Sequence, residues 1–183
     1  LTSCHTWRDG KLAIVDKAAD SPFNEGFEFL SGGGGLISTM QDYANFCQML
    51  VQRGQFRDKR LLKEETLQLM FTDQLNGVAD DFRFGLGFAI GEITLGSGDR
   101  QRQARQYSWG GYASTDFRLV PDDKLFQIVL QQRVPTSNDL ANRLCSLVYA
   151  GLQGPDEDQT ASHKRRSGHA ATPQPAMWAR QAP

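Results

Sequence analysis

The chain has 183 residues, 39% of them hydrophobic and 22% charged, with 20 Lys and Arg against 21 Asp and Glu for a net charge of −1. That length supports one domain with a real core, and the mixed charge excludes an electrostatic footprint for nucleic acid or an anionic membrane. No apolar run has the length of a membrane span, and residues 1–20 lack the basic, apolar and small-residue order of a signal peptide.

Residues 1–30 read as irregular, with one short strand over 11–15 and a turn at Asp20-Ser21-Pro22. Leu1 stands where a methionine would begin a chain, and we expect the true start to lie upstream. Ser31 and the glycines 32–35 make a flexible approach to a helix. Bare N–H groups at a helix start can bind an anion, but the Gly-Lys-Ser/Thr ending of a phosphate loop is missing, since Leu36 and Ile37 follow Gly35. A hinge or a close-packed loop is the expected role. Ser38 with Gln41 three residues on predicts a capping box. The helix after it turns Met40, Tyr43, Ala44, Cys47, Leu50 and Val51 inward and stops at Gly54.

A second helix is predicted near 64–71, with Leu67, Met70 and Phe71 inward. A strand over 83–91 alternates Phe84, Leu86 and Phe88 with small residues. The stretch 107–120 is β-prone, and in it Phe117 and Leu119 alternate with Asp116 and Arg118 as on a half-buried strand. After a turn over 121–124, the apolar run 125–130 reads as a central strand, so 114–120 and 125–131 form an antiparallel hairpin. A last helix over 137–150, capped by Ser137 or Thr136, faces the core with Leu140, Leu144, Leu147 and Val148 and ends at Gly151. From Gln153 onward prolines and polar residues dominate, and Lys164-Arg165-Arg166 is a solvated basic run. The expected organisation is one domain over 1–152 and a disordered polar tail over 153–183. Its fold class is α+β, an antiparallel sheet covered by helices.

Cys4, Cys47 and Cys145 are odd in number and far apart, which argues against a disulfide framework or a zinc motif. Cys47 and Cys145 lie on apolar helix faces and read as buried. His5, His163 and His169 lie near the two ends, so neither a Ser-His-Asp triad nor a histidine metal site is expected. No metal and no cofactor is expected.

The run Tyr107-Ser108-Trp109-Gly110-Gly111-Tyr112 sets aromatics beside paired glycines in a β-prone stretch, where glycine weakens a strand. Either a ligand or another backbone approaches closely there, or the strand bulges or twists. These residues alone do not decide between the two.

Four segments in order carry a resemblance. Ser31-Gly-Gly-Gly-Gly-Leu-Ile-Ser-Thr-Met-Gln-Asp-Tyr-Ala-Asn-Phe-Cys-Gln-Met-Leu50 resembles the stretch after the active-site region of serine hydrolases of the class C β-lactamase and penicillin-binding-protein type. So does Arg60-Leu61-Leu62 with Glu65-Thr66 and Met70, and Phe84-Gly85-Leu86-Gly87-Phe88 is similar to their next strand. Trp109-Gly110-Gly111, followed by a strand, a Pro-Asp turn and an apolar strand ending in Gln131, resembles their third active-site motif. That motif is Lys-Thr-Gly in β-lactamases and often Trp-Gly-Gly or His-x-Gly in related esterases.

The resemblance, over about 8–150, implies acyl transfer: a serine in Ser-x-x-Lys attacks an ester or amide carbonyl, and a lysine and a tyrosine manage its proton. It implies that Gly110 and Gly111 let substrate lie along the strand and that the Tyr112 N–H helps hold the oxyanion. It also places Trp109 where relatives carry lysine or histidine, which speaks against a β-lactam carboxylate and for an esterase- or peptidase-like substrate. No serine here has lysine three residues on; Ser97 and Ser162 have Arg100 and Arg165, and arginine stays protonated. Tyr43-Ala44-Asn45 matches the family's Tyr-x-Asn element by letter, but its place on an apolar helix face makes Tyr43 a core residue. The expectation is therefore the C-terminal part of a serine hydrolase, inactive alone, whose partner is the missing N-terminal half of the same domain. Its substrate would be a small ester or amide. The alternative is a non-catalytic binding protein built on the half-domain.

Overall fold

A computed structural model describes residues 1–24, 31–78 and 81–152; the tail expected over 153–183 lies outside the described residues. Five antiparallel strands in the order β5-β6-β7-β8-β9 form the main sheet. They are β5 (Arg83–Phe84), β6 (Ala89–Leu95), β7 (Arg102–Gly110), β8 (Asp116–Val120) and β9 (Leu125–Val129). Helices α1 (Met40–Val51) and α2 (Glu64–Met70) cover one face, and α3 (Asp139–Gly151) covers the other. This is the expected α+β arrangement.

Alternation along the strands builds two cores. Phe88, Tyr107, Phe117 and Leu119 pack with Cys47, Met49, Leu50 and Val51 of α1 and Leu67 of α2. Leu95 and Val120, on the opposite face, pack with Cys145 and Tyr149 of α3. Full burial of a leucine such as Leu50 or Leu119 contributes roughly 2 kcal/mol. A buried hydrogen bond of 3.1 Å from the Tyr149 hydroxyl to Gln106 Oε1 ties α3 to β7.

Several local expectations shift. Residues 4–16 are a hairpin rather than irregular: β1 (Cys4–Arg8) pairs with β2 (Lys11–Asp16). Asp9 and Gly10 both have positive φ, 50° and 73°, the turn that Asp-Gly favours between strands. The cap of α1 is Thr39, whose Oγ1 accepts the Asp42 N–H at 3.1 Å, one residue on from the expected Ser38 with Gln41. At the other end Gly54 has φ 85°, donates to Met49 O at 2.9 Å, and leaves no room for a Cβ against Leu62 O. It leads into a small hairpin of β3 (Gln55–Phe56) and β4 (Lys59–Arg60).

The strand expected over 83–91 breaks at 85–88, because Leu86 N–H turns to Met70 O at the end of α2 and Gly87 takes φ 92°. Phe88 is buried, whereas Leu86 is exposed. β8 is buried on both faces, since α3 covers the side that carries Asp116 and Arg118. Among the described residues β9 pairs only with β8 and is an edge strand of this sheet, not a central one. Its apolar run reflects cover by helices on both faces, a pattern that a strand paired on both edges shares. The buried face of α3 is Ala141, Cys145 and Tyr149. Leu140, Leu144, Leu147 and Val148, expected inward, are 38–72% exposed.

Candidate functional site

β7 runs out at Trp109 and Gly110, which lie opposite Phe117 and Asp116 of β8. Trp109 projects from the face that carries Tyr107, yet it lies beyond the helical cover and is 48% exposed. Its ring meets Phe84 edge-on at 4.8 Å, and Phe84 stacks on Phe82 at 5.8 Å. Phe82, 45% exposed, continues this aromatic surface away from the strand end. The sequence marks Phe84 as a strand residue but gives no sign that it meets Trp109 or that Phe82 extends the surface, because those contacts depend on pairing across strands.

Residues 111–115 reverse the chain. Gly111 N–H donates to Thr115 O at 2.8 Å, and Ser114 N–H donates to Gly111 O at 3.1 Å. A Cβ at Gly111 would collide with Thr115 Oγ1, so the close approach that demands this glycine comes from its own turn. The Gly111–Tyr112 peptide follows from that bond. Its carbonyl points into the turn toward Ser114, and in a trans peptide the N–H points the opposite way. The Tyr112 N–H is thus directed out of the turn and has no hydrogen-bond partner among the described residues. The Tyr112 side chain is 81% exposed.

The turn is held from behind by the segment after β9. Ser114, fully buried at φ 66°, donates from Oγ to Arg133 O at 2.8 Å and accepts from Ser137 N–H at 3.0 Å. Gln131 Nε2 donates to Ser114 O at 3.1 Å, and Arg133 N–H donates to Ala113 O at 3.1 Å. Thr136, expected as a cap of α3, instead donates its hydroxyl to Tyr112 O at 2.5 Å. The N-cap position is Asn138, without a side-chain bond to the helix. β1 is tied to the same segment, His5 N–H to Gln132 O at 2.9 Å and Val134 N–H to His5 O at 2.8 Å.

The titratable groups nearby suit packing. Tyr43 sits against Phe117 at 5.3 Å, and burial pushes its phenol up to about 12. Burial likewise pushes the Cys47 thiol up to about 12, which keeps it protonated and unreactive at neutral pH. Among the described residues no three His, Cys, Asp or Glu converge as a metal site, and no helix is long and apolar enough to cross a membrane. The end of β7 and the turn after it therefore offer an outward backbone N–H and, three residues earlier at Trp109, an exposed aromatic surface. Such a donor stabilises developing negative charge on oxygen.

A family model described as Beta-lactamase matches residues 2–150. Two curated proteins of Mycobacterium tuberculosis, Uncharacterized protein MT1414 and Protein Rv1367c, are each 29% identical over 120 residues, covering 58% of this chain and 30% of the relative. Among solved structures, the LovD6 mutant of simvastatin synthase (LovD) from Aspergillus terreus superposes with a TM-score of 0.60 at 22% identity, over 89% of this chain and 42% of that one. Unliganded LovD from the same organism, as its selenomethionyl derivative, gives a TM-score of 0.58 at 22% identity, over 80% of this chain and 41% of that one. The likeness to LovD is one of fold. This chain spans less than half the length of each of these relatives and structures.

Proposed function

The chain belongs to the β-lactamase family, a family of serine hydrolases and acyltransferases, and from that premise we propose that it supplies the substrate wall and an oxyanion donor for acyl transfer from an ester or amide. The observation that carries this is the Tyr112 N–H, directed outward past the end of β7 and without a hydrogen-bond partner among the described residues. In this reading Gly110 and Gly111 leave the strand end open to substrate. The serine and lysine of Ser-x-x-Lys, with the Tyr-x-Asn element, come from a segment outside these 183 residues. The serine oxygen bonds to the carbonyl carbon and the C=O becomes C–O⁻, held by the Tyr112 N–H. The C–O or C–N bond to the leaving group then breaks, and the proton from the serine passes to that group. Water or a second alcohol takes the acyl group in the next step.

Trp109, Phe84 and Phe82 present an aromatic surface that begins three residues before Tyr112, and in this reading it faces the acyl group. The substrate class proposed is a neutral ester or amide with an apolar acyl group, not one that carries a carboxylate. The exposed stripe Leu140, Leu144, Leu147 and Val148 on α3 supports an additional packing partner, which we assign to the segment bearing the nucleophile. On this view residues 1–152 are part of one hydrolase domain, and 153–183 lie outside it.

The test joins this chain behind a segment that carries Ser-x-x-Lys and Tyr-x-Asn and measures p-nitrophenyl ester turnover together with labelling by a serine-directed fluorophosphonate. The 183-residue chain alone should do neither, and the joined polypeptide should do both. Trp109→Ala should lower kcat/KM for a butyryl or longer ester by about tenfold and leave the acetyl ester within about twofold, since each buried CH2 contributes about 0.8 kcal/mol. A joined polypeptide that folds yet forms no acyl-enzyme sinks the proposal.

A further inference from the structure

We infer that Thr136 is a positioning residue for the oxyanion donor at Tyr112, an inference that rests on the acyl-transfer reading above. Two peptide groups meet at the Tyr112 Cα, and each is held by its carbonyl. Gly111 O accepts from Ser114 N–H at 3.1 Å, and Tyr112 O accepts from Thr136 Oγ1 at 2.5 Å. The first bond orients the plane that contains the Tyr112 N–H. The second stops the next plane from rotating about Tyr112 and pulling the first with it. Without the hydroxyl, Tyr112 is anchored on one side only.

The position of Thr136 in the chain leaves its hydroxyl free of the helix. It stands two residues before the N-cap Asn138, outside the position from which a hydroxyl caps the first turn. Ser137 does bond locally, to Asp139, while Thr136 reaches across 24 residues to the turn. Its neighbours converge on the same five-residue turn: Gln131 on Ser114 O, Arg133 on Ala113 O, and Ser137 N–H on Ser114 Oγ. Those three bonds act on 113 and 114. Thr136 is the member of the set that acts on Tyr112 itself. Its side chain lies at the exposed end of the segment, so its removal takes away a bond without emptying a core.

A misoriented donor is costly at the transition state and of little consequence for substrate binding, because the charge it serves is absent in the ground state. The experiment compares Thr136→Val, which keeps the shape, and Thr136→Ser, which keeps the hydroxyl. In the joined polypeptide Thr136→Val should lower kcat about tenfold or more with KM within about twofold, and Thr136→Ser should recover most of kcat. The melting temperatures of the three proteins should coincide. In the 183-residue chain, the NMR order parameter of the Tyr112 amide should fall in Thr136→Val and not in Thr136→Ser. Wild-type kcat in Thr136→Val, or equal losses in both variants, overturns the inference. If the unsubstituted joined polypeptide forms no acyl-enzyme, the acyl-transfer reading fails instead. An unchanged Tyr112 order parameter in Thr136→Val then overturns the positioning role on its own.

Discussion

Arg118 and Asp116, two residues apart on β8, form a two-pronged ion pair beneath α3. Arg118 Nε lies 2.8 Å from Asp116 Oδ1 and its terminal nitrogen 3.3 Å from Oδ2, and the same nitrogen donates to Asn142 Oδ1 at 2.6 Å. The side chains are 12% and 6% exposed. Burial lowers the pKa of the guanidinium, but the hydrogen bonds and charge of Asp116 more than offset that and leave it raised. Asp116 also lies opposite Gly110, so the pair backs the strand end where the site is proposed.

Asp116→Ala leaves a guanidinium under α3 without its carboxylate. Urea denaturation should show a loss of about 3 kcal/mol, the usual scale for breaking a buried pair from one side. The double substitution Asp116→Leu with Arg118→Met should lose clearly less, because no uncompensated charge remains.

Gly111→Ala should displace the turn, since the new Cβ collides with Thr115 Oγ1. We expect a loss of roughly 1–3 kcal/mol, the range for overpacking. Thr115→Ala removes the colliding oxygen, so Gly111→Ala should cost less in that background. Equal costs in both backgrounds would show that the glycine answers to something other than its own turn.

Leu144→Glu with Leu147→Glu places charge on the exposed stripe of α3. In the 183-residue chain the stability should change by no more than about 0.5 kcal/mol, and sedimentation should show less self-association. In the joined polypeptide the same pair should destabilise, because the stripe is then covered. Unfolding of the 183-residue chain by this pair would mean that the stripe is buried.

The fold favours the protonated forms of Cys47 and Tyr43. Burial raises the thiol from 9.0 to about 12 and the phenol from 10.0 to about 12. The folded state therefore keeps protons that the unfolded chain releases at alkaline pH. The resulting stability is intact below pH 9 and declines as pH rises toward 12. Urea midpoints at neutral and alkaline pH should show this decline, and Cys47→Ala should remove the part that begins near pH 9.

Much of the helical order was legible because helices declare themselves over short spacings. Cys47, Leu50 and Val51 at i, i+3 and i+4 are buried on α1 together with Met49, although Met40, expected inward, is exposed, and Leu67 is the buried residue of α2. The hairpin of β8 and β9 was legible for the same reason, since a Pro-Asp turn separates a short alternating run from a short apolar one. α3 misled because leucine is the more apolar choice. Its core side is Ala141, Cys145 and Tyr149, small enough to lie close to the sheet or able to bond to Gln106. β8 misled because a buried ion pair and a solvated one share the same letters.

By itself the sequence determined the family, through motifs in order, and it singled out the stretch where the site is proposed, because paired glycines beside tryptophan in a β-prone run are locally costly wherever they stand. Only the tertiary structure decided what a side chain at Gly111 would meet, which way the Tyr112 N–H points, and that the Thr136 hydroxyl reaches the Tyr112 carbonyl. Those answers depend on Thr115, Ser114 and a segment 24 residues away meeting in space, and local propensity carries no information about contacts at that range.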